Sequence, residues 1–147
     1  MKNINIIFIA TCLFVSTLLS GCAWLHPNIP SGGGNTGQYT VLLTQCTGNS
    51  GTQDLTVVVT ITNRGTNERK YIGGSLEGTM AVDIQGNTLK PYSSSGVLTE
   101  LPTAVPVKVT IDRFGPILPG TPMLRTLRVS IGSRNNIVEF RNVPIVW

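Results

Sequence analysis

The chain has 147 residues, 41% of them hydrophobic, and a net charge of +4. That length suits one domain with a short tether, and the cations are dispersed, with only Arg69-Lys70 adjacent, which excludes a polybasic run and argues against a nucleic-acid partner. The one histidine, His26, lies before the strand-forming part, so that part is excluded from Ser-His-Asp, Cys-His and histidine-ligated metal chemistry.

Lys2 gives the N-terminus its positive charge. An apolar run follows from Ile6 to Leu19, fourteen residues broken by Thr11, Ser16 and Thr17. As a helix it would span about 21 Å, short of the roughly 30 Å hydrocarbon core, so a cleaved signal is expected rather than a permanent span. Cys12 would be discarded with it. Leu19-Ser20-Gly21-Cys22 comes next. Ser20 and Gly21 are small enough for an extended backbone to enter a protease cleft, and Cys22 offers a soft, nucleophilic sulfur.

The charge, the run and the tetrad together resemble the signal peptide and lipobox of bacterial lipoproteins. The resemblance implies diacylglycerol on the Cys22 sulfur, cleavage between Gly21 and Cys22, and acylation of the new amine, a palmitate-type anchor. One acyl chain binds a membrane only marginally, whereas three would hold it firmly. In Gram-negative lipoproteins an aspartate after the cysteine often marks the inner membrane. Ala23 stands there instead, which implies the outer membrane, facing the periplasm. The competing reading is an ordinary secretory signal with an accidental cysteine.

Residues 1–21 are thus expected as signal peptide, 22–38 as a lipid-anchored linker and 39–147 as the folded domain. Pro27, Pro30, Gly32-Gly33-Gly34, Asn35 and Gly37 leave the linker no apolar face to bury, so it is expected to be flexible. Trp24 and Leu25 are placed to rest at the membrane interface. With Cys22 taken by lipid, Cys46 has no intrachain partner. It is expected as a small buried hydrophobe, the alternative being a crosslink to another chain.

From Tyr39 onward the apolar residues recur at every second position. Tyr39, Val41 and Leu43 begin the pattern. Leu55, Val57, Val59 and Ile61 continue it against Thr56, Thr60 and Thr62. Met80, Val82 and Ile84 are read as an inner face, with Asp83 toward solvent. Val105, Val107, Val109 and Ile111 follow, then Leu127, Val129 and Ile131, then Val138 and Phe140 with Glu139 outward, then Val143 and Ile145. Gly86-Asn87 and Asn135-Asn136 supply hairpin turns. Pro106 and Pro144 are expected at an edge or a bulge. About seven strands without a helical stripe predict an all-β fold, an antiparallel immunoglobulin-like β-sandwich.

Val57-Val58-Val59-Thr60-Ile61-Thr62-Asn63, Pro119-Gly120 and Val138-Glu139-Phe140-Arg141-Asn142-Val143-Pro144-Ile145 look like the small immunoglobulin-like domains of many bacterial lipoproteins. The resemblance covers Thr56–Trp147. It implies that Asn63 turns the strongest strand into its loop and that Pro119-Gly120 prepares a later one. No functional residue transfers through it.

The seven carboxylates are scattered and form no Asp-x-Asp pattern, so neither a calcium loop nor a facing acid pair is indicated. The chain is therefore read as non-enzymatic, without cofactor or metal. Binding is expected on loops or a sheet edge. Arg64 to Lys70 is a cationic loop that includes Arg69. Lys90 to Thr103 carries Tyr92 and a serine run. Arg113 to Met123 holds Phe114, Ile117 and Leu118, either capping the core or forming a docking surface. The expected role is a lipid-anchored envelope scaffold or binding protein with a protein partner. The alternatives are an accessory lipoprotein of a secretion, conjugation or pilus machine, and an envelope inhibitor or phage or plasmid exclusion lipoprotein.

Overall fold

The computed structural model describes residues 33–147. The proposed signal peptide, Gly21, Cys22, His26, Trp24 and the first part of the linker lie outside the described residues. Ten strands follow in order: β1 (Gly33–Thr36), β2 (Tyr39–Asn49), β3 (Asp54–Asn63), β4 (Glu68–Gly73), β5 (Met80–Asp83), β6 (Thr88–Pro91), β7 (Gly96–Leu101), β8 (Pro106–Gly115), β9 (Met123–Ser130) and β10 (Ile137–Pro144). Among the described residues there is no helix.

Eight strands form one antiparallel sheet in the order β1-β2-β3-β8-β6-β5-β9-β10. The sheet curls until its two ends meet. Gly34 of β1 lies against Val138 of β10, close enough that a Cβ there would collide with the valine. Past β10 the chain runs parallel to the far half of β2, where Gly48 donates to the Val146 carbonyl at 2.7 Å and Val146 donates to Cys46 at 3.0 Å. Gly48 also leaves room for the Trp147 indole on its backbone. The result is barrel-like. It differs from the expected seven-strand immunoglobulin-like sandwich because β1 and the C-terminal segment close one sheet on itself instead of leaving two facing layers.

Alternation explains the core. Val41 and Leu43, Val57, Val59 and Ile61, Val109 and Ile111, Leu127 and Val129, and Val138 and Phe140 all point inward and are buried. Cys46 joins them, and burial pushes its thiol up to about 12. Each such side chain contributes about 1.5–3 kcal/mol by leaving water. Pro106 is tolerated in the central strand β8 because it is that strand's first residue, and Pro144 ends the terminal strand β10.

Three expectations need correction here. Gly33–Thr36, read as flexible linker, pairs with Tyr39–Leu42 as a strand. A glycine-rich segment can do this because the pairing is made by backbone and the small residues fit where β10 comes close. The phase of β5 is the reverse of that expected: Ala81 and Asp83 are buried, while Met80 and Val82 are half-buried and Ile84 is exposed. Its partner β9 dictates this by setting Ala81 opposite Leu127 and Asp83 opposite Leu124. Asp83 is therefore 2% exposed rather than solvated. Its carboxylate is satisfied by the turn that follows, accepting from the backbones of Gln85 at 2.9 Å and Asn87 at 2.8 Å and from Asn87 Nδ2 at 2.8 Å. Burial acts to raise its pKa, but those donors outweigh it and hold the carboxyl below its usual range. Gly86, at φ +92°, supplies the positive φ of the same turn.

Candidate functional site

The strands β4 and β7 form a separate two-stranded ribbon. Its inner face, with Ile72 and Leu101, is buried in the core, and Ile72 bridges Ile131 just past β9. The ribbon packs against β3, β8 and β9. Its outer face consists of two cross-strand pairs. Arg69 stands opposite Glu100 and Tyr71 opposite Leu98. Tyr71 is 48% exposed and Leu98 44%. The Arg69–Glu100 ion pair, at 3.7 Å and well solvated, adds little stability.

Sequence reasoning read both strands as loops, Arg64–Lys70 and Lys90–Thr103. Charged and serine-rich residues mask them because one face of the ribbon meets water and neither strand carries a long apolar alternation. The cross-strand apolar pair Tyr71–Leu98 was missed for the same reason.

One end of the ribbon is fixed by a polar network. The Tyr39 hydroxyl donates to Glu68 Oε1 at 2.5 Å, Gln38 Nε2 donates to the same oxygen at 2.7 Å, and Lys70 Nζ lies 3.2 Å from Glu68 Oε2. Beside it the 63–67 loop is tied down. Asn63, fully buried, donates from Nδ2 to the carbonyls of Thr66 and Leu101, and its Oδ1 accepts from Gly65. Thr103 donates to the Gly65 carbonyl and, from its backbone, to Asn67 Oδ1. A shallow recess opens here, lined by Asn67, Glu68, Arg69, Glu100, Leu101 and Pro102.

The sequence-proposed residues fall into two separate groups. Arg64, Arg69 and Lys70 lie at the Asn63 end of β3. Tyr92, Phe114, Ile117 and Leu118 lie at its Asp54 end, where Tyr92 donates to the Arg113 carbonyl and Ile117 to that of Gln53. A ten-residue strand separates them by about 30 Å. Phe114 belongs to β8 and is fully buried, and Ile117 is 3% exposed. Both cap the core, which corrects the docking-loop reading for them. The cause is Leu55, which faces Phe114 across the β3–β8 bulge and draws it inward. Leu118 and Tyr92 remain outside, at 65% and 63% exposure. Pro119-Gly120 forms the tight turn before β9, with Gly120 at φ +81° and Thr121 donating to the Leu118 carbonyl.

Among the described residues no group of three or more His, Cys, Asp or Glu side chains gathers to hold a metal. Comparison with protein-family models, with curated proteins and with solved structures finds no match.

Proposed function

We propose that this chain is a lipid-anchored, non-enzymatic protein of the bacterial envelope, held in the outer membrane by Cys22 and facing the periplasm, and that its β domain binds a protein partner through the β4–β7 ribbon. The anchoring half rests on Leu19-Ser20-Gly21-Cys22 after the apolar run. The observation that carries the binding half is the outer edge of the ribbon. β7 has no second ladder partner among the described residues, and Val97, Leu98 and Tyr71 are exposed beside it. An unpaired strand offers backbone donors and acceptors to an extended segment, and flanking apolar side chains supply selectivity. The Tyr39–Glu68–Lys70 network holds the ribbon in place, so little ordering is lost on binding. An immunoglobulin-like arrangement of the strand core, apart from the closure made by β1 and the C-terminal segment, belongs to this reading and is supported by the Asn63 turn and by Pro119-Gly120.

The test is crosslinked affinity capture from membranes with the full chain, wild type against Leu98→Asp and Tyr71→Asp. Loss of one envelope protein from both variants, at unchanged melting temperature, is expected. Identical recovery from all three contradicts the ribbon as the binding surface.

A further inference from the structure

Met80 and Val82 of β5, with Ile84 just past its end, turn outward among polar and cationic neighbours. Met80 is opposite Arg128 of β9, and Arg128 is opposite Glu139 of β10. Val82 lies between Thr88 of β6 and Thr126 of β9. Lys90 and Arg141 are exposed on the same face. The bulge between Val82 and Asp83 adds Arg125, which donates to the Ile84 carbonyl at 3.4 Å.

This wall carries four cations, Lys90, Arg125, Arg128 and Arg141, against one carboxylate, Glu139. That excess of three equals the whole net charge of the chain beyond Lys2. Glu139 is paired with Arg141 at 2.8 Å, and among the described residues no carboxylate lies within 4.0 Å of Lys90, Arg125 or Arg128. Arg128 Nε is sealed from solvent without a hydrogen-bond partner, so packing on the sheet, not an ion pair, holds that guanidinium in place. Elsewhere charge is balanced. The ribbon pairs Arg69 with Glu100 and Lys70 with Glu68. The outer face of β2, β3 and β8 presents Thr40, Thr60, Thr62 and Thr110 with one Lys108 and one Asp112.

The entry of the chain favours the same wall. β1 lies between β2 and β10, so the described chain begins, at Gly33, beside β10. Ten residues lie between Cys22 and Gly33, so the eleven Cα steps that join them reach at most about 40 Å when fully extended. We propose that the β6–β5–β9–β10 wall rests on the anionic phospholipid headgroups of the membrane that holds the Cys22 anchor. The proposal rests on the anchored reading above. Arginine and lysine place their charges among phosphates while their stems lie along the sheet. Met80, Val82 and Ile84 enter the boundary between headgroups and acyl chains. In this pose the β4–β7 ribbon remains open to a partner.

The test uses the full acylated chain in phosphatidylcholine vesicles, with and without phosphatidylglycerol, and a headgroup spin label as quencher. Fluorophores are placed on Ile84→Cys and Thr88→Cys in the wall and on Thr60→Cys in β3. Both wall positions are at the surface, so a failure of one variant to fold leaves the other. Several-fold stronger quenching at Ile84 and Thr88 than at Thr60, lost when phosphatidylglycerol is omitted, is expected. Equal quenching at all three sites, or a difference that persists in neutral vesicles, overturns the proposal. The mass of the same samples separates the two ideas. An acylated chain with equal quenching contradicts the membrane-facing wall alone, whereas a chain without lipid contradicts the anchor and the wall together.

Discussion

The Tyr39 hydroxyl and the Glu68 carboxylate meet at 2.5 Å, tying the start of β2 to the start of β4. Burial, and then the Glu68 carboxylate, raise the Tyr39 phenol from 10.0 to about 12. Burial acts to raise Glu68, but the hydrogen bonds from Tyr39, Lys70 and Gln38 outweigh it and hold the carboxyl below its ordinary 4.5.

The two groups give opposite pH limbs. The raised phenol stabilises the fold fully below pH 10.0, and this contribution fades as pH rises toward about 12. The depressed carboxyl stabilises above 4.5, and this is lost as pH falls through its folded value. Tyr39→Phe should cost about 1 kcal/mol near neutrality and flatten the alkaline limb. Glu68→Gln should flatten the acid limb. Urea midpoints across pH check both. The buried Cys46 thiol, raised from 9.0 to about 12, adds an alkaline limb of its own, so a Tyr39→Phe limb as steep as that of the wild type would show that the phenol adds nothing to it.

Asp83 accepts three hydrogen bonds from the Gln85–Asn87 turn while buried beside Ala81. Asp83→Ala should cost roughly 2–3 kcal/mol, because it leaves buried donors unpaired. Asn87→Ala should cost less, since the backbone donors remain. Equal losses in denaturant titrations would mean that the carboxylate does not organise the turn.

Phe114 and Leu118 lie four residues apart with opposite fates, one fully buried and the other 65% exposed. Phe114→Ala should destabilise by about 3–5 kcal/mol. Leu118→Asp should stay within about 0.5 kcal/mol. Calorimetry on the pair decides. A stable Phe114→Ala would return that residue to the surface.

The strands visible in the sequence were those with one face in the core and a long run to display it. Val57, Val59 and Ile61 of β3, and Leu127 and Val129 of β9, announce themselves by period two. The four-residue β5 did not, since Met80, Val82 and Ile84 are larger than the Ala81 and Asp83 that point inward. Only its pairing with β9 sets the phase. Glycine hid β1, because a backbone ladder leaves no side-chain pattern. The ribbon was hidden by its solvent face, so Arg69 and Lys70 were legible as exposed cations but not as strand residues. The closure of β1 and Val146 onto β2 depends on contacts between distant segments that no local pattern carries.

Acylation of Cys22 tests the central claim most directly. Radiolabelled palmitate should enter the wild-type chain. Cys22→Ser should take up none and should accumulate with residues 1–21 uncleaved. Label retained in Cys22→Ser, or a wild-type chain that is unlabelled and keeps residues 1–21, would contradict the lipid anchor.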